Sequence, residues 1–351
     1  MRRVAASALA TLLAVASCSR VPPPQIAPSA LTCRAVVPDS ATPVTWLEPS
    51  ETRSRNAGPR WCATVGPVFF DDSALTARPP SDTLTVVVWN VHVGAGDIGA
   101  LLRRLTSGEF TNGERDGDYV LLLQEVRRRD ERVPALIMRG LPVPRRIASR
   151  DRTRTVDDLA ALAREQRLAL LYVPAMRNGE HADREDRGNA IVSTLPLDDV
   201  RVLELPFEHQ RRVVPIATIS ARSPGGRSRR LRLATVHFDT SIGLRRGGPF
   251  KARRREAEAL IAALADSDVP TVAAGDFNTW LGSREGAIGV LRRAFPETPA
   301  MPAGATWRGP LGIGARLDYV FVRAPFGPVT VRRLADRFGS DHYPLLARLR
   351  F

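Results

Sequence analysis

Lysine is almost absent: of the 51 basic residues in this 351-residue chain, only Lys251 is not arginine. A biased gene composition explains that preference as well as phosphate chemistry does, so arginine richness by itself assigns no function. Acid is also in short supply. With 37 Asp plus Glu the formal charge is +14 at pH 7, a surplus that favours polyanionic partners or anionic surfaces and says nothing about fold. Aromatic residues make up only 6%, and no aromatic hairpin or stripe stands out for insertion into lipid. Beyond the first residues there is no long apolar run, which excludes a polytopic membrane protein. Cysteine occurs three times, enough for one bridge and one residue left over. What remains is ordinary: 44% hydrophobic and 25% charged residues without an internal repeat, which excludes a disordered or collagen-like chain. The length suits one large α/β core with a short appendage.

The chain opens with Arg2 and Arg3, a short apolar run from Val4 to Ala16, and small residues, the pattern of a secretory signal over residues 1–17. Its end, Val15-Ala16-Ser17-Cys18, resembles the lipobox of bacterial lipoproteins. That resemblance implies lipidation of Cys18 and a membrane-anchored protein of the bacterial cell envelope, in the periplasm or at the cell surface. Several acyl chains on one residue anchor stably where one chain does not. The plainer alternative is an ordinary cleaved signal. The Pro- and Ala-rich tract Val21–Thr32 then reads as a tether. In an oxidising compartment the remaining even pair, Cys33 and Cys62, is expected to form a disulfide. Residues 18–81 are thus a tether and extension, and residues 82–351 the catalytic domain.

From Leu84 onward short β-branched runs alternate with turns and helical stretches, the signature of a large α/β layer fold. Expected strands are Thr85–Trp89, Tyr119–Leu123, Leu168–Val173, Ala190–Thr194, Val213–Ser220, Leu231–His237, Thr271–Ala274, Leu317–Val322 and Leu345–Leu349. Apolar spacings of three and four predict helices over Ile98–Leu105, Val156–Arg167, Phe250–Ala265 and Arg284–Ala294. Two stretches concentrate positive charge: Arg127–Arg154, with ten arginines against three acids, and Arg245–Arg255, with five arginines, Lys251 and no acid. A solvated face and a phosphate-facing role are both open for them.

Polar groups stand at the ends of the apolar strands: Asn90, Gln124-Glu125, His237, Asp276-Phe277-Asn278, Asp318 and Asp341-His342. One such residue is usually a turn former. Six strand ends carrying only carboxylate, amide and imidazole match what hard-metal phosphate chemistry needs. The segments WNVHVG, LLLQEV, RGNAIVST, TVHFDT, GDFNT, RLDYVFV and GSDHYPLLARL, in this order, resemble the endonuclease/exonuclease/phosphatase superfamily over about Leu84 to Phe351. The resemblance implies the deoxyribonuclease-I-like fold, an α/β four-layer sandwich of two packed mixed β-sheets flanked by helices. It also implies Mg2+-dependent hydrolysis of phosphoester bonds, with Mn2+ as a substitute.

Carried over residue by residue, the resemblance makes Glu125 the main metal carboxylate, with Asn90 beside it and Asp341 completing the shell. His342 becomes the general base and Asp318 the carboxylate that orients it. Asp276 and Asn278 position the nucleophile and a phosphate oxygen, and His237 binds phosphate or assists the leaving group. Arg187 and Asn189 of RGNAIVST and Arg253 of RRREAEAL are the expected phosphate contacts, arginine through its bidentate fit. A surface charge for Arg187 and a turn brace for Asn189 stay open. His92 departs from the pattern and puts a second metal ligand in doubt, and Glu256 stands where the family carries glutamine.

The leading expectation is a secreted, anchored, monomeric phosphodiesterase acting on nucleic acid, because the basic stretches suit a polyanion. A phospholipid or inositol-phosphate hydrolase ranks second for want of an apolar insertion element. A binding module that kept the fold and lost catalysis ranks third, since the polar set is complete.

Overall fold

The computed structural model describes residues 21–28, 30–38, 42–115, 117–135, 159–179, 184–222, 225–240, 248–265, 268–324 and 327–350. The signal 1–17, Cys18, residues 136–154 of the first basic stretch and residues 245–247 of the second therefore lie outside the described residues.

Two mixed sheets dominate. One has seven strands in the order β1 (Gln25–Ile26), β3 (Thr45–Glu48), β9 (Asp198–Glu204), β10 (Val213–Arg222), β11 (Ser228–His237), β12 (Thr271–Asp276) and β15 (Asp318–Arg323). The other has eight: β16 (Val329–Arg333), β17 (Leu345–Arg350), β5 (Thr83–Asn90), β6 (Asp118–Arg129), β8 (Glu185–Ser193), β7 (Ala169–Arg177), β4 (Val68–Asp71) and β2 (Val36–Val37). A small ribbon, β13 (Trp307–Arg308) with β14 (Gly314–Ala315), stands apart.

The central strands are apolar on both faces because both faces are covered. Along β5, Val86 and Val88 enter the core between the sheets, while Val87 and Trp89 face outward onto α2 (Ile98–Thr106). Along β12, Val272 and Ala274 point inward, and Ala273 packs outward with residues of α4 (Gly248–Ala263) and α5 (Gly286–Ala294). The period-two alternation of strands and the three-to-four spacing of helices thus produce helix, sheet, sheet, helix, the four-layer sandwich expected. Asp97 caps α2 by accepting from Ala100 N at 2.8 Å. The second expected helix, Val156–Arg167, is shorter, α3 (Leu159–Glu165), and residues 156–158 lie outside the described set.

The extension before Asp82 is built into this body. Gln25–Ile26, within the expected tether, pairs with β3, β3 pairs with β9, and β4 pairs with β7, so the segment lengthens both sheets at their edges. Its helix, α1 (Thr52–Cys62), has no apolar periodicity and carries Gly58 and Pro59, so its stability comes from packing. Buried Trp61 and the disulfide supply that packing. Cys33 and Cys62 are bonded, both buried, with Cα atoms 5.1 Å apart. Closing this loop contributes about 3–4 kcal/mol in the chain-entropy account.

Candidate active site

The parallel pairs β5–β6 and β11–β12 end together, which aligns Asn90 with Gln124 in one sheet and His237 with Asp276 in the other; antiparallel β15 sets Asp318 opposite Asp276. Polar side chains tie the two sheets at this end. Asn90 Nδ2 donates to Asp276 Oδ2 at 3.0 Å, Gln124 Nε2 to Thr235 Oγ1 at 2.8 Å, and Asn189 Nδ2 to Val213 O at 2.8 Å.

Short motifs shape the loops. His92 N donates to Asn90 Oδ1 at 3.0 Å, Asn278 N to Asp276 Oδ1 at 2.9 Å, and His342 N to Ser340 Oγ at 3.0 Å. Each is a side chain capturing a backbone amide two residues on, the chemistry that makes Asn, Asp and Ser turn residues. Glu125 sits at a bulge of β6 with φ 55°, and Asn278 has φ 49°, both in the left-handed region. Gly275 has φ 151°, and a Cβ there would lie 1.9 Å from Val236 O, so only glycine lets β12 approach β11 before Asp276.

His342 Nδ1 lies 2.9 Å from Asp318 Oδ2, and its Nε2 faces Asp276 Oδ2 at 3.7 Å and Asp341 Oδ1 at 3.9 Å. Burial alone lowers the imidazole, but the charge and hydrogen bond of Asp318, with Asp276 and Asp341, raise it to about 10. Burial pushes Asp276 up to about 7, with Asp318 adding to the rise and His342, Asn278 and Asn90 opposing it. Asp341 goes the other way. Burial raises it, but His92, His342 and the Trp307 indole hold it at about 2. His92 Nδ1 is 3.1 Å from Asp341 Oδ1, and Trp307 Nε1 donates to Asp341 Oδ2 at 2.9 Å.

His237 faces the gap from the other side, its Nε2 3.8 Å from both Glu125 Oε1 and Asp276 Oδ2. Arg212 Nη1 sits 3.2 Å from His237 Nδ1. A guanidinium only donates, so Nδ1 accepts and the ring proton resides on Nε2. Burial, then Arg212, His342 and Arg187, lower His237 well below its ordinary value, so it is neutral. Its Nε2–H is buried without a partner, as is Arg187 Nη1. Burial lowers Arg187 while Glu125 opposes the shift.

The structure brings together Asn90, Glu125, His237, Asp276, Asn278, Asp318, Asp341 and His342 and sets Arg187 beside them. Two expected phosphate contacts are engaged elsewhere. Arg253 is 1% exposed, with Nε and Nη2 at 2.8 and 3.0 Å from the two oxygens of Glu285, a bidentate pair that fastens α4 to the start of α5. Asn189 spends its amide on the sheet-to-sheet brace, which is the turn-brace alternative moved into the core. Sequence reading missed Arg212, whose only signal is an arginine pair just before the apolar β10 run. It also missed His92 and Trp307 as partners of Asp341.

Two further expectations change. Most described members of the basic stretches are paired within the protein, Arg127 with Glu185, Arg128 with Asp186, Arg254 with Glu258, and Arg255 with Glu51 and Glu208, while Arg129 and Lys251 are exposed. And an apolar hairpin does exist beside the site, β13–β14, whose Trp307 contacts Trp280 with ring centroids 5.0 Å apart.

A divalent cation fits the donor set. Among the described residues no hydrogen-bond donor reaches the Glu125 carboxylate, which is partly open, and Asp341 Oδ1, with His92 Nδ1 at 3.1 Å, lies 3.9 Å from His342 Nε2 in the same gap. Unsaturated carboxylate oxygens beside an amide suit a hard ion. Asp276, Asp318 and His342 also bring one donor atom each within 4.8 Å of one another; all three are buried, and His342 already engages Asp318 through Nδ1.

Two stacked sheets between helices, with carboxylates, amides and histidines gathered at one end, define the deoxyribonuclease-I-like fold class. The chain belongs to the Endonuclease/Exonuclease/phosphatase family, whose profile matches residues 87–342. It is similar in fold to an endonuclease/exonuclease/phosphatase family protein from Leptotrichia buccalis C-1013-b, at 14% identity and TM-score 0.50 over 76% of this chain and 100% of that one. A Beutenbergia cavernae DSM 12333 endonuclease/exonuclease/phosphatase aligns at 19% identity and TM-score 0.49, over 77% of this chain and 72% of the other. A 3′ phosphatase, NExo, from Neisseria, bound to product DNA hairpin, aligns at 17% identity and TM-score 0.44 over 77% and 100%. No curated protein sequence matches the chain.

Proposed function

We propose that this protein is a metal-dependent phosphodiesterase in which His342, oriented by Asp318, takes the proton of the attacking water. The observation that carries this reading is the His342–Asp318 contact of 2.9 Å, made between the two sheets and aimed at Asp276. Because Asp318 accepts from Nδ1, the neutral ring presents its Nε2 lone pair toward the gap. Asp276 and Asn278 hold the water and a phosphate oxygen. His237, locked with its proton on Nε2, donates to the phosphate or its leaving oxygen, and Arg187 Nη1 supplies a second donor. Glu125, with Asn90 and Asp341, would hold Mg2+ or Mn2+, which when bound offers Lewis-acid charge to a phosphate oxygen. Hydrolysis of bis(p-nitrophenyl) phosphate, present with Mg2+ and absent in excess chelator, tests the reading; full activity in chelator would overturn it.

Nucleic acid is the substrate class proposed from the net charge, with Arg187 and Arg212 as the buried cations facing the cleft. A phospholipid headgroup is the second reading, favoured by the apolar hairpin beside Asp341. Plasmid DNA, RNA and phospholipid, assayed side by side, separate them. Export and anchoring through Cys18 are proposed on the lipobox alone, and the chain is proposed to act as a monomer. Cys18→Ser should release the protein from membranes and abolish lipid labelling; labelling that persists overturns the anchor.

A further inference from the structure

Four of the six exposed large hydrophobic side chains among the described residues lie in two adjacent segments at the site: Trp280 (40% exposed), Leu281 (54%), Leu311 (98%) and Ile313 (62%). Both segments are tied directly to catalytic residues. Trp280 follows Asn278 by two positions, and its ring meets Trp307 at the base of the β13–β14 hairpin. That hairpin is stitched to the His342 loop by Arg308 N to Asp341 O at 2.8 Å, Tyr343 N to Thr306 O at 2.7 Å, and the Trp307 indole on Asp341. Leu311 and Ile313 project from its tip, where Leu311 adopts φ 59°. A soluble surface rarely groups its exposed apolar residues so closely at one functional edge.

The chemistry of the two segments selects the partner. Residues 309–315, GPLGIGA, carry no side-chain hydrogen-bond donor or acceptor, so the tip holds neither a phosphate nor a base edge, and its aliphatic groups offer no ring for a base to stack on. Over residues 279–284 and 302–316 there is no Asp or Glu, while Arg284 and Arg308 are exposed. Aliphatic groups outermost, tryptophans one layer behind and arginines at the flanks form the profile of an element that enters a lipid–water interface bearing negative charge.

We propose that the β13–β14 tip, with Trp280 and Leu281, docks the active-site end of this protein onto an anionic lipid bilayer. Leu311 and Ile313 enter the acyl region, Trp280 and Trp307 lie at headgroup depth, and Arg284 and Arg308 meet anionic headgroups. Docked this way, Asp341 and His342 face phosphodiesters displayed at the bilayer surface. That last step rests on the phosphodiesterase reading; the docking itself does not.

The test uses the full chain with Cys18→Ser, so that no acyl chain contributes, and vesicles of equal parts phosphatidylcholine and phosphatidylglycerol. Co-sedimentation should be strong and should largely survive high salt, because screening weakens the arginines but not the aliphatic anchors. Leu311→Asn with Ile313→Asn should lower partitioning by roughly 100-fold, about tenfold for each buried aliphatic group. Asparagine tolerates the left-handed backbone at 311, so thermal stability should hold. Hydrolysis of bis(p-nitrophenyl) phosphate should be the same in both proteins. Independently of any tip variant, brominated acyl chains should quench tryptophan fluorescence in the protein with its native tip. Equal vesicle binding by both proteins, or no quenching, overturns the docking. So does a wild-type dimer that the double variant converts to monomer, or a loss confined to plasmid DNA binding. Vesicle binding that depends on the tip in a protein with no diesterase activity leaves the docking standing and removes the catalytic reading instead.

Discussion

His342 Nδ1 and Asp318 Oδ2 meet at 2.9 Å although they belong to different sheets, Asp318 opening β15 of the seven-stranded sheet and His342 preceding β17 of the eight-stranded one. The contact exists only when the two sheets are correctly stacked, so catalytic competence and packing are coupled at this point. His342→Ala should lower kcat about 10²–10⁴-fold, the usual contribution of a positioned base. Asp318→Asn should be similarly severe, and the double variant little worse than the worse single one, since residues acting as a unit are non-additive. Steady-state kinetics of all three variants checks this; multiplicative losses would assign Asp318 a separate role.

The same pair predicts an alkaline pH limb. Asp318, Asp276 and Asp341 raise His342 to about 10 in the metal-free protein, so the base is charged at neutral pH and the rate should rise with pH above the ordinary histidine range. Asp318→Asn should move that limb toward acid. A raised histidine also stabilises the folded state below its unfolded value of about 6.5, and this contribution fades as pH climbs through about 10. Chemical denaturation of the metal-free protein across that window should show stability falling with pH, and the fall should be smaller in Asp318→Asn.

Glu125→Gln keeps the shape of the side chain and removes its charge. Because no hydrogen-bond donor among the described residues depends on this carboxylate, folding should be nearly unchanged, while the Mg2+ concentration needed for half-maximal rate rises at least about tenfold. Metal titration monitored by activity and by calorimetry measures it. An unchanged metal requirement would move the ion to the Asp276–Asp318–His342 cluster.

Arg212 assigns the tautomer of His237. Arg212→Gln should allow the ring proton onto Nδ1, raise the depressed histidine, and reduce activity about 10–100-fold, the range for partners that orient an active-site group. Nitrogen chemical shifts of the ring report the tautomer directly, a signal that a merely structural arginine leaves unmoved.

The disulfide closes a loop within the extension, joining the turn at Thr32–Arg34 to the end of α1. Cys33→Ser with Cys62→Ser should cost about 2–4 kcal/mol in reversible unfolding. Peptide mapping of unreduced protein should recover the two cysteines linked; alkylation of both in native protein would contradict the bond.

Most of the central sheet and most of the side chains gathered at the candidate site were legible in the amino-acid order, because strands buried on both faces are unbroken apolar runs with polar residues at their ends. Asn90, Glu125, Asp276 and Asn278 stand at or just after such runs, and Asp318 and His342 stand at or just before them. Other elements were not legible: β9 reads DDVRVLE and the edge strand β16 reads VTVRR, alternations too polar and short to stand out, and α1 carries Gly58 and Pro59. Local sequence also determined the turns, since Asn90, Asp276 and Ser340 each bond an amide two residues away. Only the tertiary structure decided which charges face the site. Arg187 and Arg212 converge beside Glu125 and His237, whereas Arg253 is neutralised by Glu285 and Arg255 by Glu51 and Glu208, and nothing in an arginine-rich string distinguishes them. Partners lying 32, 47 and 204 positions away choose each arginine's role, and that choice is made when the layers pack.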